Sequence, residues 1–177
     1  MNKSVSRHVA QDVTKMAIIA GLYVVVTFIT APIAYGPLNF RIAEGLNFLS
    51  LYNRKYILAV TLGVFISNYF AYGVLDMVVG SLSTFVFLWI GRWIAEKIVQ
   101  HLPSTLTQKI HPMLIKYLML TVIFSLSMIT IAIMIKVLGS DIPFLPLYSG
   151  LVLSEMVAMI LGGFVMYPLG QRINFYE

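Results

Sequence analysis

The chain is 177 residues long, with 59% of them apolar and only 11% charged, against roughly 25% charged in an ordinary soluble domain. Twelve Lys and Arg and seven Asp and Glu cannot give a globule of this size a polar skin, which excludes a soluble domain and makes this an integral membrane protein. The absence of cysteine excludes a disulfide framework, a thiolate nucleophile and a Cys-ligated metal, and the net charge of +5 reports topology before it reports any affinity for nucleic acid.

Residues 1–15 are polar (Lys3, Arg7, His8, Gln11, Asp12, Lys15) and read as an amphipathic lead-in. A cleaved signal is not expected, because no small-residue cleavage pattern follows and the next apolar run is too long for a signal core. That run, 16–33, is the first span and breaks at Pro32. A loop over 34–40 carries the turn formers Gly36, Pro37 and Asn39. The short helix expected over 41–52 carries Arg41, Glu44 and Asn47, so it cannot face lipid all round. Arg54 and Lys55 lead into a third span over 56–70, and a fourth covers 76–94. The stretch 96–111 is polar and contains proline, which predicts a loop with fraying helix ends. A fifth span over 113–138, a loop over 139–146 and a sixth span over 147–167 follow, the last ended by Pro168 and Gly170. The fold class expected is an all-α integral membrane protein, a single domain forming a six-helix bundle.

Basic residues orient it. With the N-terminus cytoplasmic, ten of the twelve Lys and Arg fall at cytoplasmic ends, and only Arg41 and Lys136 fall outside. Six spans with both termini cytoplasmic satisfy the positive-inside rule. No internal repeat of the inverted-transporter kind is present.

Of the acidic residues, Asp12, Glu96 and Glu177 lie in solvated cytoplasmic segments, whereas Glu44, Asp76, Asp141 and Glu155 all fall at or within the outer half. They share it with Asn39, Arg41, Asn47, Asn68 and the tyrosines Tyr35, Tyr69, Tyr72 and Tyr148. A carboxylate inside a span costs roughly 2.5–3.5 kcal/mol on insertion scales and faces an interior or a cavity. Glu155, inside the sixth span with no base one turn away, is read either as a structural partner of Arg41 or Lys136 or as a ligand contact. Arg41 and Glu44, three apart, form either a local pair or a loop anchor beside a pocket-facing carboxylate with Asn47 one turn on. Asp76 is a helix cap, a ligand contact, or both. Gly150, Ser154, Ala158 and Gly162 form a small-residue ridge read as intramolecular packing, and Ala17, Ala20 and Gly21 make the first span a surface another helix can approach.

There is no nucleotide-binding P-loop, no His-Glu-x-x-His and no Gly-x-Ser-x-Gly. The three histidines, His8, His101 and His111, are dispersed. No catalytic residue, metal or cofactor is expected. An intramembrane hydrolase using Glu44 and Asp76 ranks last, for want of a nucleophile–base constellation.

The stretches LYVVVTFITAPIAYGPLNFRIAEGLNFLSLY and LGVFISNYFAYGVLDMVVGSLSTF resemble the QueT family, the substrate-binding S-components of energy-coupling-factor importers for queuosine precursors. GLVLSEMVAMILGG is similar to the family's last span with its glutamate. The resemblance implies a protein of the prokaryotic plasma membrane that captures its substrate from outside and docks on a membrane scaffold subunit driven by two cytoplasmic ATPases. It also implies docking through an Ala-xxx-Ala motif in the first span, where this chain has Ala17 and then Gly21. The substrate expected is a 7-deazaguanine such as preQ1, preQ0 or queuine, whose adjacent ring N–H and exocyclic amine suit one carboxylate, and whose flat ring suits Tyr35, Phe40 or Tyr72. Arg41, Glu44, Asn47, Asn68, Asp76, Glu155 and Tyr35 are the candidate binding residues. An S-component for another vitamin, or a small autonomous transporter, are the alternatives.

Overall fold

A computed structural model describes residues 3–36 and 39–176, and the side chains of all of these except 3–7, 72 and 104. The described chain is all helix: α1 (Lys3–Ile29), α2 (Ala31–Ala34), a 3-10 helix (Ile42–Leu51), α3 (Lys55–Tyr72), α4 (Val74–His101), α5 (Ser104–Lys109), α6 (Pro112–Leu126), α7 (Ile129–Val137) and α8 (Phe144–Arg172). Four segments are long and apolar enough to cross a membrane: His8–Ile29, Val74–His101, Pro112–Val137 and Phe144–Arg172. The apolar helices Ile42–Leu51 and Lys55–Ala71 are shorter.

Several boundaries differ from the sequence expectation, each for a local reason. The polar lead-in is no separate element. Nothing between Lys3 and Ile29 breaks the backbone ladder, so α1 runs through it. It stops just ahead of Pro32, which has no N–H to continue the ladder and sits in the first turn of α2. The stretch after residue 96 is mostly helical, since α4 continues to His101. Pro168 does not end α8, which runs on to Arg172; so near a terminus the ring removes only one backbone bond from the helix. The fifth span is two helices, broken at Ser127–Met128.

The largest difference is the second segment. It is a 3-10 helix of ten residues, roughly 20 Å long at about 2.0 Å per residue, and every residue from Ala43 to Leu51 is buried. Helices α1, α3, α4, α6 and α8 pack one against the next in that order, and the 3-10 helix packs against all five. It occupies the middle of the bundle, with α1 and α8 flanking it. Such a long 3-10 run is uncommon because its hydrogen-bond geometry is poor, and here burial on every side supports it.

Its closest approach is to α8, backbone against backbone. A Cβ placed on Gly45 would lie 2.7 Å from the Gly162 Cα, and one on Gly162 would collide with the Gly45 Cα in turn. Ala158, one turn before Gly162, is buried as well, so the lower part of the small-residue ridge packs inside the molecule. Gly150, at its other end, meets nothing within 4 Å.

These contacts predict a contrast. Gly162→Ala should lower thermal stability in detergent by the roughly 1–3 kcal/mol of an overpacked core, whereas Gly150→Ala should leave the melting temperature unchanged or slightly raised. Equal effects at the two positions would contradict the packing described.

Candidate functional site

The site forms where α3 turns into α4. Gly73 adopts φ +75°, a left-handed conformation that costs glycine nothing. It serves as both the cap of α3 and the start of α4, so the two helices are joined through a single residue. Asn68 and Asp76 are thereby brought face to face: the Asn68 amide donates to the Asp76 carboxylate at 3.2 Å and to its backbone carbonyl at 3.2 Å. One helical turn beyond Asp76, a Cβ on Gly80 would collide with the Asn68 amide nitrogen and lie 3.1 Å from the Asp76 carboxylate. Glycine is what gives this pair its space.

Arg41 enters from the other side, on extended backbone just before the 3-10 helix. Its guanidinium is 5% exposed and spans three stretches of chain. Nε donates to the Asn39 side-chain oxygen at 3.1 Å, Nη1 donates to the Asn68 side-chain oxygen, and Nη2 lies 3.7 Å from the Asp76 carboxylate. Asn39 itself has φ +49°, a left-handed conformation that asparagine tolerates better than most residues. Arg41 therefore pairs across to α4 and not with its neighbour Glu44. Asp76 does not cap α4, which has no side-chain cap bond; its Oδ1 accepts from Asn68, and its Oδ2 faces the Arg41 guanidinium at 3.7 Å without a hydrogen-bond partner.

Glu44 is fixed separately. The Tyr23 hydroxyl of α1 donates to one carboxylate oxygen at 2.7 Å, and the Asn47 amide donates to the other at 2.7 Å. Both donors are neutral, so the glutamate is hydrogen-bonded but not charge-compensated by them. Glu155, roughly 17 Å along α8 from its start, is 3% exposed, and its Oε1 is buried without a hydrogen-bond partner. Neither Arg41 nor Lys136 forms an ion pair with it. Arg41 is engaged with Asp76, and Lys136 donates to the carbonyls of Ser140 at 2.5 Å and Ile142 at 3.1 Å.

Arg41, Glu44, Asn68 and Glu155 line one small cavity together with Asn39, Gly80, Ser83, Thr84 and the apolar side chains of Val64, Phe124 and Ile131. Its remaining wall is the break between α6 and α7, at Ser127 and Met128. Here the Ser127 hydroxyl donates to Phe124 O at 2.6 Å, and Thr130 bonds Ser83 across to α4 at 2.8 Å. Irregular backbone at membrane depth is tolerated where it lines a cavity. The volume is about 20 Å³, room for about one water molecule.

Of the candidate binding residues, four thus line the cavity. Asp76 and Asn47 stand behind it, each orienting a lining residue. Tyr35 lies away from it, donating to the Ser67 carbonyl at 3.0 Å. Phe40 lines an apolar groove between α1 and α8 instead, and the Tyr72 side chain lies outside the described residues. Asp141 is exposed in the loop before α8. On α1, Ala17 and Gly21 are exposed while Ala20 is turned inward, its carbonyl 3.1 Å from where a Gly63 Cβ would stand. Tyr23, Ser83, Thr84 and Ser127 are additions. Tyr23 gives no sign of itself among apolar neighbours, whereas Ser127 and Thr130 interrupt an otherwise apolar span.

The fold and the cavity together define a multi-pass helical membrane protein with a carboxylate-rich polar site enclosed among its helices. More particularly, the chain belongs to the QueT transporter family, whose description it matches over residues 13–171. It is similar to a protein of Lactococcus lactis subsp. cremoris (strain MG1363) named queuosine precursor transporter QueT, at 36% identity over 166 residues covering 92% of this chain and 94% of the relative. No solved structure matches it.

The Arg41–Asp76 pair is open to a stability test. Asp76→Leu strands a buried guanidinium and should destabilise the protein by about 3–5 kcal/mol, the cost of breaking a buried pair from one side. Adding Arg41→Met should recover much of that loss in unfolding measurements. A double variant as unstable as the single one would show that the pair is not the unit described.

Proposed function

We propose that this protein is the substrate-binding subunit of an energy-coupling-factor importer that takes up a queuosine precursor, a 7-deazaguanine. Family membership supports the transported class. The observation that carries the reading further is Glu155, whose Oε1 sits buried in the cavity wall without a partner.

The ligand chemistry follows from charge. Three carboxylates, Glu44, Asp76 and Glu155, surround one guanidinium; Asp76 is the one within 4 Å of it and stands behind the cavity, not in its lining. Glu44 and Glu155 are left for the ligand. One of them accepts the ring N–H and exocyclic amine of the deazaguanine side by side. The other faces the cationic arm of an aminomethyl derivative, which makes preQ1 a better complement than preQ0, whose nitrile is neutral. Arg41, with N–H groups beyond those given to Asn39 and Asn68, supplies a donor for the ring carbonyl. Ligand-sized pockets run to roughly 300–1,000 Å³, so entry must move side chains aside.

The assembly rests on the resemblance to S-components, in which ATP hydrolysis belongs to two cytoplasmic ATPase subunits acting through a membrane scaffold; the absence of a P-loop from this chain is in keeping with it. Ala17 and Gly21 give the scaffold a place to dock; nothing of the chain lies within 4 Å of a Cβ on Gly21, and small residues let a second helix come close. In the plasma membrane the chain passes six times with both termini cytoplasmic. The 3-10 helix makes the second pass, sheltered from lipid by its neighbours. The end that gathers the Lys55–Asp12 ion pair and the Arg92–Glu96 pair faces the cytoplasm, in keeping with the positive-inside rule.

Calorimetry on the purified chain tests the ligand. PreQ1 should bind at least tenfold more tightly than preQ0, and Glu155→Gln should weaken preQ1 by about 10- to 100-fold, the worth of a hydrogen bond to a charged group, with a smaller effect on preQ0. Failure of preQ1, preQ0 and queuine all to bind would overturn the reading. In liposomes, ATP-driven uptake should require the scaffold and ATPases, and Gly21→Leu should abolish uptake while leaving preQ1 affinity intact. Uptake by the bare chain would instead make it an autonomous transporter.

A further inference from the structure

A second pocket, of about 90 Å³, lies between the start of α3 and the later turns of α4 and shares no lining residue with the polar cavity; Arg54, Ile57, Trp89, Arg92, Trp93 and Glu96 line it. Arg92 is sixteen residues beyond Asp76 on α4, roughly 24 Å along the helix. The Arg54 guanidinium stands 5.7 Å from the centre of the Trp89 ring, within cation–π range. Arg92 donates to the Ser50 carbonyl at 2.5 Å and pairs with Glu96 at 2.8 Å, while its Nε has no acceptor. Two guanidiniums against one carboxylate leave the pocket with net positive charge.

Trp89 is shared with an apolar furrow of about 280 Å³ formed by Phe85, Val86, Trp89 and Ile90. The furrow begins where the cationic pocket ends and runs along α4 toward the middle of the spans. Val86, Trp89 and Ile90 are all exposed there. A cationic cup at the end of a membrane helix, continuous with an apolar trough one turn deeper, has the polarity of a lipid molecule from headgroup to acyl chain. We propose that this is a binding site for an anionic phospholipid. Its phosphate lies between Arg54 and Arg92, and its acyl chain lies in the furrow against Trp89 and Phe85. A zwitterionic choline headgroup fits less well, since its ammonium would share the cup with two guanidiniums. A free phosphate would fill the cup but leave the furrow without a role.

Both tryptophans of the chain belong to this pocket, so intrinsic fluorescence reports on it alone. The full chain is reconstituted in vesicles of phosphatidylcholine and phosphatidylglycerol, with the acyl chains of one or the other lipid brominated to quench tryptophan. Brominated phosphatidylglycerol should be preferred about fivefold, of the order expected for one net cation at a lipid surface. Arg54→Gln, at an exposed position, should bring the preference close to one without changing thermal stability. Equal quenching by the two lipids, or a preference that survives Arg54→Gln, would overturn the proposal. So would loss of the preference on adding inorganic phosphate, which marks a free-anion site, or tryptophans that neither lipid quenches, which marks a face covered by protein.

Discussion

A guanidinium placed among membrane helices must be paired, and the pairing of Arg41 determines what surrounds it. Desolvating a charge costs several kcal/mol even after relaxation, so the Asn39, Asn68 and Asp76 side chains that gather on it cannot separate cheaply. These three come from the loop before the 3-10 helix, from the end of α3 and from the start of α4. Their convergence fixes the turn at Gly73, requires glycine at position 80 and places one wall of the cavity. The same arrangement consumes the local positive charge. Glu44 takes its hydrogen bonds from neutral donors and Glu155 keeps an oxygen with none, and a buried acceptor without a partner is the costly kind of polar group. That surplus of acceptor groups over cations is the chemical character of the site.

The 3-10 helix makes this geometry possible. With nearly all of its surface buried and its backbone against that of α8 at Gly45 and Gly162, it presents Glu44 and Asn47 to the interior of the bundle rather than to its rim. Tyr23 reaches Glu44 from α1 because the 3-10 helix lies between α1 and α8. Asp76, in the first turn of α4, stands behind the polar cavity, and Arg92, sixteen residues on, lies beside two tryptophans.

Much of this was legible in the sequence, for physical reasons that can be named. Long apolar runs identify membrane-crossing helices because lipid imposes length and composition together, and intramembrane carboxylates stand out because they are expensive. Glu44 and Glu155 draw attention on that ground, and the structure places both at one cavity. What they do was less legible. Whether Asp76 caps a helix or holds an arginine depends on Arg41, thirty-five residues away, and no local pattern carries that. The 3-10 character of Ile42–Leu51 was hidden as well, since its residues suit an α-helix and only burial on all sides stabilises the tighter form. Tyr35 was a reasonable aromatic candidate by position, yet its hydroxyl is spent on the Ser67 carbonyl. Tyr23, which orients Glu44, looks like any apolar-span aromatic until the helices are packed. Ala20 shares a small-residue cluster with Ala17 and Gly21, but the helical turn sends it inward.

The central claim is that the carboxylates around Arg41 form the ligand site, and a structure of the protein with bound preQ1 tests it most directly. Density for the deazaguanine should lie between the 3-10 helix, α4 and α8, with the aminomethyl nitrogen or the amine edge of the ring within hydrogen-bond distance of Glu155, and with the cavity enlarged around Arg41. Ligand density in the apolar groove between α1 and α8, or anywhere that leaves Glu155 without a partner, would contradict it.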